Sequence, residues 1–208
     1  FLGEGGHGTV WLAREEATGG AVAIKICLQD IARVGREVSN LKLLHKPRVH
    51  PNVVKFLKFV NPGAALVMEF IDGKSLNQRL KEQGAGLDEE EAMWIMRGLL
   101  RGVSVLHEKT VIHRDIKPDN IMLRAPGDRC DRVVIVDFGT SKQLTTKTIT
   151  EAWNVLGTPA YSSPEQTTGS EAELGMDVWA AGVVYFEMLE GHRPFTGDND
   201  KALENKIR

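Results

Sequence analysis

His113-Arg114-Asp115-Ile116-Lys117-Pro118-Asp119-Asn120 gathers charged and amide side chains into eight residues, directly after the apolar, strand-like pair Val111-Ile112. It is the most specific signal in the chain, and the fold is read outward from it. Downstream, residues 133–136 form an apolar run that leads into Asp137-Phe138-Gly139. Further on come Gly157-Thr158-Pro159-Ala160-Tyr161-Ser162-Ser163-Pro164-Glu165 and then Asp177-Val178-Trp179 with Gly182. Residues 178–189 are apolar on nearly every face, the pattern of a helix buried inside a lobe, and Gly191 and Pro194 supply its stop. Taken alone, Asp177 reads as an ordinary N-cap.

Upstream of the loop, Asp88 is placed to cap a long helix, with Glu91 three residues on and Ile95, Leu99, Val103 and Leu106 at helical spacing. Before Asp72-Gly73 the character changes to strands. Residues 10–13 and 21–26 are short, apolar and β-branched around Thr18-Gly19-Gly20, which predicts a hairpin. Residues 30–44 turn helical, with Val34, Val38, Leu41 and Leu44 on one stripe and Glu37 beside it, where a charge needs a partner. His50-Pro51-Asn52 ends that helix, and two more strands are expected over residues 53–60 and 65–70, around Asn61-Pro62-Gly63.

Gly3-Glu4-Gly5-Gly6-His7-Gly8 has the G-x-G-x-x-G spacing that lets backbone N–H groups approach a phosphate. Dinucleotide-binding folds enter a helix after such glycines. Here Val10-Trp11-Leu12-Ala13 reads as a strand, so a lid on a hairpin competes with a plain loop. Val22-Ala23-Ile24-Lys25 sets an ammonium inside an apolar strand, where burial without an anion is costly. Lys25 either snorkels from an edge strand or meets an anion, and an inward-facing Glu37 would supply one.

Composition narrows the classes. The chain has 208 residues, 42% of them hydrophobic, enough for a sizeable core. Its 26 basic and 28 acidic residues are interspersed and leave a net charge of −2, which offers no field for nucleic acid or an anionic membrane. Cys27 and Cys130 stand far apart, which suggests neither a disulfide framework nor a zinc site and fits reducing, intracellular surroundings. Cys27 reads as a small buried hydrophobe. No apolar run reaches a membrane-spanning length and no signal peptide is visible, so the expectation is a soluble, cytoplasmic protein.

The segment 113–120 resembles the catalytic loop of protein kinases, H-R-D-x-K-x-x-N, and residues 133–139 resemble the strand entering their D-F-G motif. Residues 157–165 resemble the stretch ending in A-P-E, with Ser163 in the alanine's place. Together with the glycine segment, the Lys25 strand and Asp177, these landmarks run in the family's order along the whole chain. The resemblance implies an α+β, two-lobed protein kinase-like fold. A small, mostly antiparallel β lobe with one key helix would occupy residues 1–71, and a larger, mainly helical lobe residues 72–208.

The same resemblance implies a site. Asp115 would take the proton of a substrate hydroxyl, and Lys117 would neutralise charge on the γ-phosphate of ATP. Asn120 and Asp137 would hold Mg2+, with Mn2+ as an alternative ion. Lys25, locked by Glu37, would grip the α- and β-phosphates beneath Gly3, Gly5 and Gly8. Adenine would lie against Leu2, Val10, Ala23 and Met122, with Met68 narrowing the back of the pocket and backbone at Glu69 and Ile71 meeting the base edge. Lys117 and Thr158 match the serine/threonine pattern, which implies protein substrates with Ser or Thr acceptors. Leu41, Phe56, His113 and Phe138 match the family's apolar spine. Arg114 matches kinases whose activation loop is ordered by phosphorylation, here at Thr145, Thr146, Thr148 or Thr150, by an upstream kinase or by a second copy in trans.

Two other readings compete. A pseudokinase scaffold would bind partners without catalysis, although Lys25, Asp115 and Asp137 are all present; a small-molecule kinase would usually lack the 157–165 stretch. Both ends of the sequence read as cut within the domain, with C-terminal helices missing. The family's arginine partner for Glu165 is then absent, and residues 1–208 alone are expected to be poorly stable and weakly active.

Overall fold

The computed structural model describes residues 1–5, 8–28, 31–60, 62, 64–125, 129–144, 159–171 and 173–208. Strands β1 (Gly3–Gly5), β2 (Gly8–Arg14) and β3 (Ala21–Cys27) follow one another, helix α1 (Ile31–Leu44) intervenes, and β4 (Phe56–Val60) and β5 (Ala65–Glu69) complete an antiparallel sheet. Its order is β1-β2-β3-β5-β4, so β3 lies in the middle with neighbours on both sides. Val34, Val38, Leu41 and Leu44 of α1 are buried, as their spacing predicts. The hairpin, the helix and β5 therefore lie where the sequence puts them.

The expected strand over residues 53–60 is shorter, because its first residues serve the other half of the molecule. Val53 bridges Ile135, the Val54 N–H donates to the Ile135 carbonyl at 3.0 Å, and the Ile135 N–H donates to the Asn52 carbonyl at 2.9 Å. Asn52 is fully buried and its Nδ2 donates to the carbonyls of Cys130 and Val133 at 2.7 and 2.6 Å. Buried backbone carbonyls require such donors, and a side-chain amide here replaces a strand partner.

After residues 70–72 the chain enters a second sheet. Strand β6 (Gly73–Ser75) leads into α2 (Leu76–Gln83), α3 (Glu89–Glu108) and β7 (Val111–Ile112); β8 (Ile121–Arg124) lies between β6 and β9 (Val133–Ile135), and β10 (Lys142–Gln143) pairs with β7. Helices α4 (Pro164–Thr168), α5 (Gly175–Glu190) and α6 (Asp200–Ile207) follow. The helix α3 approaches β9 so closely that a Cβ on Gly102 would meet Ile135 Cδ1 at 2.7 Å and the Asn52 carbonyl at 2.9 Å. Only glycine leaves room for that contact.

Three local expectations are corrected. Asp88 does cap α3, accepting from the Glu91 N–H at 2.8 Å, but the Glu91 carboxylate does not reach back to it. It turns instead to Arg79 on α2, taking Nε at 2.9 Å and Nη2 at 2.7 Å, because a forked guanidinium is the stronger donor. Helix α5 starts at Gly175, so Asp177 lies inside its first turn and is not the N-cap. And α5 is not enclosed on every face: Ala180, Ala181, Val184 and Met188 are buried, whereas Val178 is 55% exposed and Phe186 and Leu189 are partly open. Among the described residues no helix is long and apolar enough to cross a membrane.

Candidate active site

Alternation along β3 turns Lys25 inward, opposite Val10 on β2 and Leu66 on β5. Its ammonium is buried, and it donates to Glu37 Oε1 at 2.8 Å and to Asp137 Oδ1 at 2.6 Å. Burial by itself would push its pKa down. The carboxylates of Asp137 and Glu37 outweigh that and hold the group well above the ordinary lysine value. Snorkelling is thereby excluded: Lys25 is a fixed cation that joins β3, α1 and the segment following β9. Cys27, two residues on, is buried as expected, and burial pushes its thiol up to about 11.

The second group lies on the loop 113–120. Arg114 and Asp137 both have positive φ, at 66° and 61°, a region that costs energy for residues with a Cβ and persists only when neighbours enforce it. For the loop, the enforcing group is Asp177. Fully buried, it accepts the His113 N–H on Oδ2 and the Arg114 N–H on Oδ1, both at 2.9 Å, and its Oδ2 also meets His107 Nε2 at 2.9 Å. His113 bonds the Val136 carbonyl through Nε2 at 3.0 Å and packs edge-on against Phe138, with centroids 4.9 Å apart. Leu41, Phe56 and Phe138 belong to one continuous buried core, next to which His113 stands.

Within the loop, Asn120 closes a 3-10 turn over Pro118–Asn120. Its Nδ2 donates to the Asp115 carbonyl at 2.8 Å and to Asp115 Oδ2 at 2.9 Å, and Lys117 Nζ reaches the same Oδ2 at 2.9 Å. The carboxylate of Asp115 is thus held on one oxygen by two partners. For Asp137, the Gly139 N–H adds a bond to Oδ1 at 3.2 Å. Thr140 ties the two segments together, its hydroxyl donating to the His113 carbonyl at 3.0 Å and its own carbonyl accepting Arg114 Nε at 2.6 Å.

The remaining expected residues line the first sheet and the junction. Ala23 faces Met68 in register, and both are buried, as is Ile71. Gly3 pairs with Val10, the Leu2 N–H donates to the Val10 carbonyl at 2.9 Å, and Gly5 pairs with Gly8. Gly8 has φ 143°, and a Cβ there would lie 2.0 Å from the Ile26 carbonyl oxygen, so a glycine is required. Met122 on β8 is half-buried opposite Val134. Thr158, His7 and the threonines at 145, 146, 148 and 150 lie outside the described residues.

Four residues take parts that the sequence did not disclose. Asp177 is the clamp on the loop. Asn40 on α1 donates to Ser141 Oγ at 2.9 Å, linking that helix to the stretch after Gly139. Ser163, in the alanine's place, caps α4: its hydroxyl accepts from the Gln166 N–H while the Gln166 side chain returns to the Ser163 N–H at 3.0 Å. The Glu69 side chain pairs with Arg124. Of these, only Ser163 followed by Pro164 and, three residues on, Gln166 carried a readable local signal.

The family model described as "Protein kinase domain" matches residues 1–208. A protein of Corynebacterium efficiens named as the serine/threonine-protein kinases drp72 is 35% identical, with 98% of this chain and 40% of the relative covered. Serine/threonine-protein kinases PknA of Corynebacterium glutamicum is 34% identical over 98% of this chain and 44% of the relative. Serine/threonine-protein kinase PrkC of Bacillus subtilis is 34% identical over 99% of this chain and 32% of the relative. The chain therefore spans less than half the length of these curated relatives.

Proposed function

The chain belongs to the protein kinase domain family, and on that premise we propose that it transfers the γ-phosphate of ATP to serine and threonine hydroxyls of protein substrates. The observation that carries this reading is the Lys25 ammonium bonded at once to Glu37 and Asp137, with the Asp115–Lys117–Asn120 group on the loop that Asp177 fixes. Phosphoryl transfer asks for positioned charge more than for covalent chemistry, and these are positioned charges.

In this mechanism the bonds from Asn120 and Lys117 occupy Oδ2 of Asp115, so Oδ1 is the oxygen that receives the proton of the acceptor hydroxyl. The hydroxyl oxygen bonds to the γ-phosphorus, the bond to the bridging β–γ oxygen breaks, and ADP leaves. Lys117 stands beside the base to balance the charge of the moving phosphoryl group. Lys25 holds the α- and β-phosphates, and the backbone from Gly3 to Gly8 covers them.

Magnesium or manganese fits the donor set. The Asn120 NH2 group is spent on Asp115, which leaves its amide oxygen, and Asp137 adds a carboxylate; both are the hard oxygen donors such ions prefer. Among the described residues no group of three or more His, Cys, Asp or Glu is placed to hold a metal ion. When bound, it supplies positive charge to the phosphates. The base is received by Leu2, Val10, Ala23, Met68 and Met122, with backbone at Glu69 and Ile71 on its edge. Activation by phosphate on the 145–150 stretch, read through Arg114, and action in the cytoplasm belong to the same proposal.

The test uses the full-length protein, γ-labelled ATP with Mg2+, and a generic basic protein, followed by phosphoamino-acid analysis. Label on serine or threonine and none on tyrosine is expected. Label confined to tyrosine, or no transfer at all, would overturn the reading.

A further inference from the structure

The two sheets are joined by residues 70–72, a connection short enough that its two ends fix its path. At the far end the constraint is backbone: the Ala125 N–H donates to the Asp72 carbonyl at 2.8 Å, and a Cβ on Gly73 would lie 2.0 Å from the Leu123 carbonyl oxygen. At the near end it is a side chain. Glu69, the last residue of β5, accepts the Lys55 N–H on Oε1 at 2.9 Å and both terminal nitrogens of Arg124 on Oε2 at 3.1 Å, while its own N–H donates to the Lys55 carbonyl at 2.9 Å.

Arg124 is the last residue of β8 and stands opposite Gly73, so this ion pair spans from the first sheet to the second, behind the connection. Arg124 is itself backed. Its carbonyl accepts Arg132 Nε at 2.6 Å, and the Arg132 guanidinium lies over the ring of Trp94 on α3, 5.3 Å from its centroid. Both partners of the pair are mostly shielded from water, which favours a persistent contact over a fluctuating surface pair. A rigid chain of contacts thus runs from α3 through β8 to the carboxylate that begins the connection.

We propose that Glu69 and Arg124 form a clamp that sets the position of the backbone at residues 69–71, making both of them positioning residues for recognition of the adenine edge. The inference rests on the kinase reading, in which that backbone meets the base. Recognition by edge hydrogen bonds depends on angle and distance, so a connection held in its bound form before the base arrives gains affinity by avoiding the cost of ordering. Phosphate contacts from Lys25 and the glycine segment are made elsewhere and do not depend on the clamp. Its removal therefore weakens base recognition while leaving the transfer step alone.

The experiment measures equilibrium binding of Mg-ADP and Mg-GDP, together with KM for ATP and kcat, in the full-length protein and in Arg124→Met, Arg124→Lys and Glu69→Gln. Arg124→Met is expected to raise the ADP Kd and the ATP KM about three- to tenfold, to leave kcat within about twofold and to narrow the preference for ADP over GDP by a similar factor. Arg124→Lys, which restores a cation without the fork, should recover part of the loss. Should Arg124→Met not fold, Glu69→Gln, which keeps the shape and the Lys55 bond, is expected to narrow the preference for ADP over GDP by a similar factor. An unchanged base preference, or ADP and GDP weakened equally, would overturn the clamp. A wild-type protein that binds no adenine nucleotide would sink the kinase reading instead, before any variant is compared.

Discussion

Around Lys25 a buried charge is held by other charges: its ammonium on β3 meets Glu37 from α1 and Asp137 from the segment after β9. Beneath the loop 113–120 a buried charge is held by backbone. Asp177 meets the N–H groups of His113 and Arg114, which are parts of the loop it supports, with His107 as its only side-chain partner among the described residues. The first arrangement needs three separate elements to converge and comes apart if one withdraws. The second is a frame that supports the loop's backbone, including the positive φ at Arg114. The Lys25 charges are gathered across elements, whereas Asp115, the proposed base, lies on a loop whose backbone is tied to a single buried carboxylate.

The sharpest way to break this contrast is Lys25→Met. It leaves Glu37 buried without its cation, so stability should fall by about 3–5 kcal/mol, the usual effect of removing one partner of a buried pair. Phosphoryl transfer should fall about 10²- to 10³-fold, as when a preorganised electrostatic donor is lost. Thermal melting and single-turnover transfer measure the two effects. The pH dependence follows from the sign of the shift: a lysine raised above its unfolded value contributes stability that is complete below that value and lost only as pH rises through the higher folded one. The difference in melting between wild type and Lys25→Met should therefore stay constant between about pH 6 and 9. A gap that closes toward the alkaline end would contradict the assigned pairing.

Asp177→Asn probes the frame. An amide presents an NH2 to at least one N–H it should accept, so the variant should lose about 1–3 kcal/mol of stability. Its kcat should drop about tenfold through misplacement of Asp115, with ATP affinity unchanged, because Asp177 makes no contact with Lys25, the proposed phosphate ligand. Equal losses in kcat and affinity would show that the two regions are one unit. The smallest effect is expected from Ser163→Ala, which restores the family's alanine and removes an N-cap; melting should fall by about 1 kcal/mol with turnover unaltered.

The legible parts of this site were those with a local physical cost. An ammonium in an apolar strand announces that it needs an anion, and Glu37 beside an apolar stripe announces the same need, so the Lys25–Glu37 pair is legible in the sequence. The loop 113–120 was readable because its residues are contiguous. Asp177 was not: its partners lie 63 to 70 residues away, and at the start of an apolar helix an aspartate looks like a cap. For Glu69 the resemblance points only to its backbone, since its Arg124 partner is 55 residues off on another sheet. The strand expected from residue 53 failed for a related reason. Val53 and Val54 have strand chemistry, but their hydrogen bonds go to Ile135, and β-branched residues do not say which sheet they will join.

The most direct measurement is single-turnover transfer from saturating Mg-ATP by full-length Asp115→Asn, with nucleotide affinity measured in parallel. If Asp115 on its supported loop accepts the proton while the Lys25 group holds the nucleotide, transfer should slow by at least about 10²-fold while affinity stays within about twofold. Transfer at the wild-type rate, or a loss of affinity that matches the loss of rate, would contradict that division of labour.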